Sequence, residues 1–240
     1  MVRPRHIIAK TQHRPWPLPA GQWQYYQEWN QALFLHWEVP FNLLRPLVPS
    51  SLVLDNFNGK YFISLVPFMM QRVKPQILPS WSVVSDFYEI NVRTYVEHNG
   101  KKGVYFLSIE CQKALSAFFA RNFSGLPYHK ANIHYQHQRW ISHNPQKGFQ
   151  LDVSFVPGAK ILGKSALDIW FTERYCLYHF IQGRTWIFEV HHEEWDLYDV
   201  EVNIETLHYP VGKIEPRPLQ IYSTHFSPGV QVLTWPRKPV

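Results

Sequence analysis

Polar and apolar residues alternate most regularly over residues 87–97. Glu89, Asn91, Arg93 and Tyr95 fall on one side, and Tyr88, Ile90, Val92, Thr94 and Val96 on the other. Successive side chains of a strand point to opposite faces, so this is a strand with one chemically loaded face. That face is either an ordinary solvated surface or the wall of a pocket. The same period predicts a strand over 23–38, where Leu33, Leu35 and Trp37 alternate with Phe34 and His36. Residues 60–70 read as an apolar strand, with Pro67 marking an edge or a bulge because proline lacks a ladder donor. Between these two strands Pro40 opens a short helix at its first position, with Leu43, Leu44 and Leu47 inward.

The strand at 87–97 meets a second at 103–111 across His98–Lys102, whose Asn-Gly pair is a hairpin turn. A helix over 112–122 follows, with Leu115, Phe118 and Phe119 as its buried stripe. The second half shows a similar order. A helical turn at 164–169 precedes strands at 174–181 and 185–191, joined at Gln182-Gly183-Arg184. A helix from Asp196 then carries the stripe Leu197, Val200, Ile204 and Leu207. Residues 132–162 and 208–236 supply more strands, with Pro157-Gly158 and Pro228-Gly229 as turns. The expected organisation is an extended Pro-rich arm over 1–20, docked through Trp16 and Leu18, and one domain over 21–240 built of two similar halves.

Composition narrows the classes. The chain has 240 residues, 16% aromatic and 18% charged, with 19 Pro against 11 Gly. That is a folded, strand-rich balance. The net charge of +6 sits in the tails. Arg3, Arg5, Lys10 and Arg14 lie within the first twenty residues, and Arg237 and Lys238 within the last ten. The body is balanced, which argues against a nucleic-acid groove. No run approaches a membrane span, and the N-terminus lacks a signal-peptide core. The 2 cysteines, Cys111 and Cys176, suit a reducing compartment, so the expectation is a cytoplasmic protein. His36, His129, His191 and His192 do not form a metal motif. His134 and His137 fall on opposite faces of a strand, so neither a metal nor a cofactor is expected.

Several stretches together carry a resemblance: Arg14-Pro15-Trp16-Pro17-Leu18-Pro19, His36-Trp37-Glu38-Val39-Pro40, Val66-Pro67-Phe68-Met69, Glu89 through Val96, Gly125-Leu126-Pro127-Tyr128 and Thr172 through Tyr178. In this order they resemble the YqjF-like family of uncharacterised conserved proteins, which is in turn similar in fold to acetoacetate decarboxylase. The resemblance implies an α+β fold, predominantly antiparallel β. Its form is a duplicated acetoacetate decarboxylase-like β-barrel or cone, with a few short helices around a closed pocket. It places Glu89 on a pocket glutamate and Pro127 on the proline before the Schiff-base lysine, and it matches Arg121 to an arginine. Tyr128, however, stands where the enzyme has that lysine, with His129 beside it. The enzyme's pocket arginine and second glutamate fall at Asn30-Gln31 and near Phe62–Ser64, where neither residue type occurs. The fold carries over and the amine chemistry does not.

The candidate site follows from both readings. Glu89 is the acid/base, Tyr128 a proton donor or oxyanion partner, and Arg93 or Arg121 the substrate clamp. Lys130 is retained as a displaced amine, two residues and about 7 Å beyond Tyr128. His36, Asn91, His129 and Arg174 complete the substrate-binding set. Glu89 and Arg93 lie about 13 Å apart along one strand, so each needs a partner from elsewhere in the fold. The expected function is a small-molecule pocket: an enzyme acting on a small oxygenated or acidic compound, or alternatively a non-catalytic binding or sensing protein. The expected partner is a small-molecule ligand, not nucleic acid or membrane, and self-association is left open.

Overall fold

The computed structural model describes residues 4–76, 86–112 and 128–240. Its strands are β1 (Tyr25–Val39), β2 (Val53–Leu54), β3 (Tyr61–Pro75), β4 (Phe87–His98), β5 (Lys101–Cys111), β6 (Tyr128–Lys130), β7 (Asn132–Gln136), β8 (Arg139–Asn144), β9 (Phe149–Lys160), β10 (Cys176–Ile181), β11 (Arg184–His192), β12 (Tyr198–His208), β13 (Ser223–Thr234) and β14 (Lys238–Pro239). Among the described residues three short α-helices accompany them: α1 (Pro4–Ala9), α2 (Phe41–Leu44) and α3 (Ala166–Thr172). Among the described residues no helix is long and apolar enough to cross a membrane.

The sheet runs β11-β10-β5-β4-β3-β1-β13, and β13 pairs back onto β11 through Val190–Thr234, His191–Leu233 and His192–Val232. Seven strands therefore form a closed circuit, antiparallel throughout except for β10 beside β5. From β13 the sheet continues through β12, β9, β8 and β7. This extension covers one face of the circuit. Ile133, Trp140, Leu151 and Val153 from it share a core with Leu33, Leu35, Ile63, Leu65, Ile90 and Val92. The other face carries a second cluster, with Phe34, Val66, Phe68, Met70, Phe87, Val190 and Val232. Strand β4 is thus buried on both sides. Its apolar face meets the extension, and its polar face turns into the circuit.

Local chemistry accounts for the hairpins. Asn99 and Gly100 both have positive φ (50° and 78°), as do Gln182 and Gly183 (49° and 78°). These are the backbone states that two-residue hairpin loops require. Three neighbouring strands bend along one line, where β1 has Gln31 at φ 52°. The β1–β3 ladder is interrupted between Asn30 and Leu35, and Pro67 faces that gap, where no donor is needed. On β13 Gly229 has φ 141°, and a Cβ there would lie 2.6 Å from the Trp29 carbonyl oxygen, so only glycine fits. This common bend curves the sheet.

Several expectations are corrected. The helix from Asp196 is strand β12. Half-buried Val200, Val202 and Ile204 alternate with exposed Glu201, Asn203 and Glu205, a period of two that the i, i+3, i+7 spacing of Leu197, Val200 and Ile204 obscured. Pro157-Gly158 and Pro228-Gly229 are not turns; they lie inside β9 and β13, the first at an irregularity in the β9–β12 ladder. Pro40 is the N-cap of α2 rather than its first residue. The arm over 1–20 is helical at α1 instead of extended. It packs on β11: the Arg14 guanidinium donates to the Val190 carbonyl at 2.6 Å, and Trp16 Nε1 donates to Glu189 at 3.0 Å. The helix expected over 112–122 lies outside the described residues beyond its first position.

Candidate functional site

Inside the circuit lies a cavity of about 90 Å³, to which all seven strands contribute. Roughly 10–15 Å³ accommodates one water, so the space suits several waters or one compact organic molecule. Aromatic and aliphatic groups form most of its wall, including Phe34, Phe106, Phe188 and Trp195. The polar groups on the wall include Glu89, Asn91, Arg93 and Arg174. An apolar wall with a few convergent polar groups is the usual composition of a small-molecule site.

Strand geometry positions three of these four. Glu89, Asn91 and Arg93 follow one another at two-residue intervals along the inner face of β4, opposite Phe68, Val66 and Ser64 of β3. Arg174 arrives from the other side. It follows α3, whose Ser165 N-cap and Asp168 form a reciprocal capping box. The Arg174 guanidinium donates to Asp55 at 2.7 Å and to the Trp170 carbonyl at 2.7 Å. Burial pulls its pKa down, Asp55 opposes this, and neighbouring Arg93 adds a smaller downward push.

Arg93 is held differently. It is half-buried, donates to the Phe171 carbonyl at 3.4 Å, and lies over the rings of Phe34 and Tyr95. Among the described residues it has no carboxylate partner. Four buried atoms of described residues on this wall lack a hydrogen-bond partner: Asn91 Oδ1, Arg93 Nε, Arg174 Nη2 and, on β13, Thr234 Oγ1. Asn91 Nδ2 donates to Glu89 Oε1 at 3.4 Å. Buried polar groups are ordinarily satisfied, because an orphan costs about 1–3 kcal/mol. Such orphans gathered at one cavity are groups whose partners the protein itself does not supply.

The other expected residues are distributed elsewhere. His36 is fully buried next to the cavity but not on its wall, bonded to Ser64 and His225. His129 is half-buried, and its backbone pairs with that of Glu110, away from the cavity. Lys130 is exposed and lacks the apolar burial that activates an imine-forming amine. The Tyr128 backbone pairs with Ile109, itself the partner of Asn91; its side chain and Arg121 lie outside the described residues. Among the described residues no group of three metal-ligating side chains occurs.

The sequence reading missed Gln27, Trp29, Thr172 and His192 on the wall. His192 accepts no proton readily, because burial lowers its pKa. Its Nδ1 lies 2.7 Å from the Glu193 carbonyl, which favours the proton there. Cys176 also lines the cavity, and burial raises its thiol pKa to about 12, which disfavours the nucleophilic thiolate.

The circuit with its internal cavity defines a class, the acetoacetate decarboxylase-like fold. The chain superimposes on the enduracididine biosynthesis enzyme MppR complexed with pyruvate with a TM-score of 0.61, at 11% identity over 94% of this chain and 93% of that one. Acetoacetate decarboxylase from Legionella pneumophila gives 0.55, at 16% identity over 95% and 93%. These likenesses show the fold. In sequence, the uncharacterised protein YqjF of Bacillus subtilis (strain 168) is 34% identical over 243 residues, 96% of this chain and 98% of the relative. The family model DUF2071, described as an uncharacterised conserved protein, matches residues 26–231. The chain belongs to that family.

Proposed function

We propose that this protein binds a small carboxylate-bearing compound in the cavity inside the circuit and acts on it, with Glu89 as the proton-transferring group. The observation that carries the reading is the pair of guanidiniums at one cavity. Arg93 has no carboxylate partner among the described residues, and Arg93 Nε and Arg174 Nη2 are both unpaired. A carboxylate presents two oxygens and satisfies both donors in charge-assisted bonds. Fold neighbours support the choice of ligand size: MppR is an enzyme whose structure holds pyruvate. Imine formation is not part of this reading, because the candidate amine, Lys130, is exposed.

Thermal unfolding with a matched pair of probes, 3-methylbutanoate and its uncharged amide, tests the binding step. The acid is expected to stabilise the protein in proportion to its occupancy, and the amide is not. Arg93→Met is expected to weaken acid binding about tenfold or more, the worth of hydrogen bonds to a charged group. Equal stabilisation by acid and amide, or an unchanged response in Arg93→Met, contradicts the reading. Turnover, once a substrate is found, is expected to be lost in Glu89→Gln with binding retained. Turnover that survives in Glu89→Gln shows that Glu89 is not the acid/base. A ligand that binds and is never turned over favours the sensing role instead.

A further inference from the structure

We infer that the cavity selects a 2-hydroxy acid with a short branched apolar chain over the keto acid and the plain acid of the same shape. The inference rests on the carboxylate reading of Arg93 and Arg174 and adds the identity of the neighbouring group. Asn91 lies two residues before Arg93 on the same strand face, about 7 Å away along the chain. It is 4% exposed. A carboxylate only accepts, so Glu89 draws the amide nitrogen of Asn91 toward itself, at 3.4 Å. That fixes the amide orientation and leaves Oδ1 as an acceptor with no donor.

A ligand whose carboxylate sits on the guanidiniums brings its second carbon toward Asn91. A hydroxyl there donates to Oδ1. A keto oxygen has no proton to give and sets its lone pairs against those of Oδ1, and a plain methylene leaves the acceptor orphaned. An ammonium could donate, but it would sit beside the two cations Arg93 and Arg174. The rest of the molecule meets Phe34, Phe106, Phe188 and Trp195, which favours an apolar chain over a polar one. The cavity volume of about 90 Å³, at roughly 10–15 Å³ per water-sized body, suits a molecule of under about ten heavy atoms.

The test is a titration calorimetry series with 2-hydroxy-4-methylpentanoate, 2-oxo-4-methylpentanoate, 4-methylpentanoate and leucine, on wild type and Asn91→Ala. In wild type the hydroxy acid is expected to bind about tenfold tighter than any of the other three, because a site built to bond a hydroxyl penalises analogues that leave its acceptor unpaired. In Asn91→Ala the hydroxy acid and the plain acid are expected to converge. A keto or plain acid that binds as tightly as the hydroxy acid overturns this inference and leaves the carboxylate site standing. Leucine binding as tightly overturns the choice of hydroxyl over ammonium. A preference that persists in Asn91→Ala removes Asn91 as its source. If none of the four binds, the carboxylate reading itself fails, and the inference fails with it. The wild-type ranking decides the matter even if Asn91→Ala does not fold.

Discussion

Two adjacent ranks, one behind the cavity wall and one on it, treat buried polar groups in opposite ways. In the first, Tyr95 hydroxyl lies 2.6 Å from Ser64 Oγ, Ser64 Oγ 2.7 Å from His36 Nδ1, His36 Nε2 3.3 Å from His225 Nδ1, and His225 Nε2 2.9 Å from Asp168. One proton arrangement satisfies every link: tyrosine donates to serine, serine to His36, His36 to His225, and His225 to the carboxylate. Phe171 of α3 stacks on His36 at 3.8 Å. This network is closed, and it fastens α3 to the wall. In the second rank, beginning at Arg93 directly opposite Ser64, the orphaned atoms of Asn91, Arg93 and Arg174 remain. A closed network holds the structure together, whereas an open one beside a void has capacity for a ligand.

Acid is the strongest way to break the comparison, because His36 in the first rank and His192 elsewhere on the cavity wall are both buried and resist protonation. Burial pushes His36 well below its usual value and also lowers His192, while His191 on the outer side of β11 falls from 6.5 to about 4. A histidine that resists protonation only when folded leaves the unfolded chain binding more protons below pH 6.5. Stability is therefore unaffected above that pH and declines as pH falls from 6.5, for His191 down to about 4. Each such group costs about 1.4 kcal/mol per pH unit within its window. Urea unfolding at pH 7.5 and 5 measures the loss. Equal stability at both pH values would show that these histidines take up protons in the fold as readily as in the unfolded chain.

The next largest effect separates the two ranks. His36→Ala is expected to destabilise by about 3 kcal/mol, through a new void and orphaned Ser64 and His225. Asn91→Ala is expected to cost no more than about 1 kcal/mol, because its acceptor is unpaired already. Urea unfolding of the two variants decides it, and similar losses would erase the distinction. The smallest effect concerns the attachment of α3. Ser165→Ala removes the N-cap and is expected to cost about 1 kcal/mol, read in the same assay.

What the sequence disclosed and what it hid divide by range. Asn99-Gly100 and Gln182-Gly183 were legible because turn chemistry is local. The inner face of β4 was legible as a chemical pattern, though not as an interior, since the extension that buries its other side begins more than thirty residues later. β1 shows why parts of the cavity were hidden. Gln27 and Trp29 are odd-numbered and Phe34 is even-numbered, yet all three line the cavity, because the bulge at Gln31 shifts the phase of the strand. Alternation read through 33–37 could not reach back across it. Arg93 and Arg174 were both named as candidates, but only the closure of the circuit brings residues 81 positions apart to one void.

The most direct measurement is a crystal structure of the protein grown with 3-methylbutanoate. The account predicts the carboxylate inside the circuit, about 2.7–2.9 Å from Arg93 Nε and Arg174 Nη2, with the branched chain against Phe34 and Phe106. A carboxylate bound elsewhere, with only water beside the two guanidiniums, would contradict it.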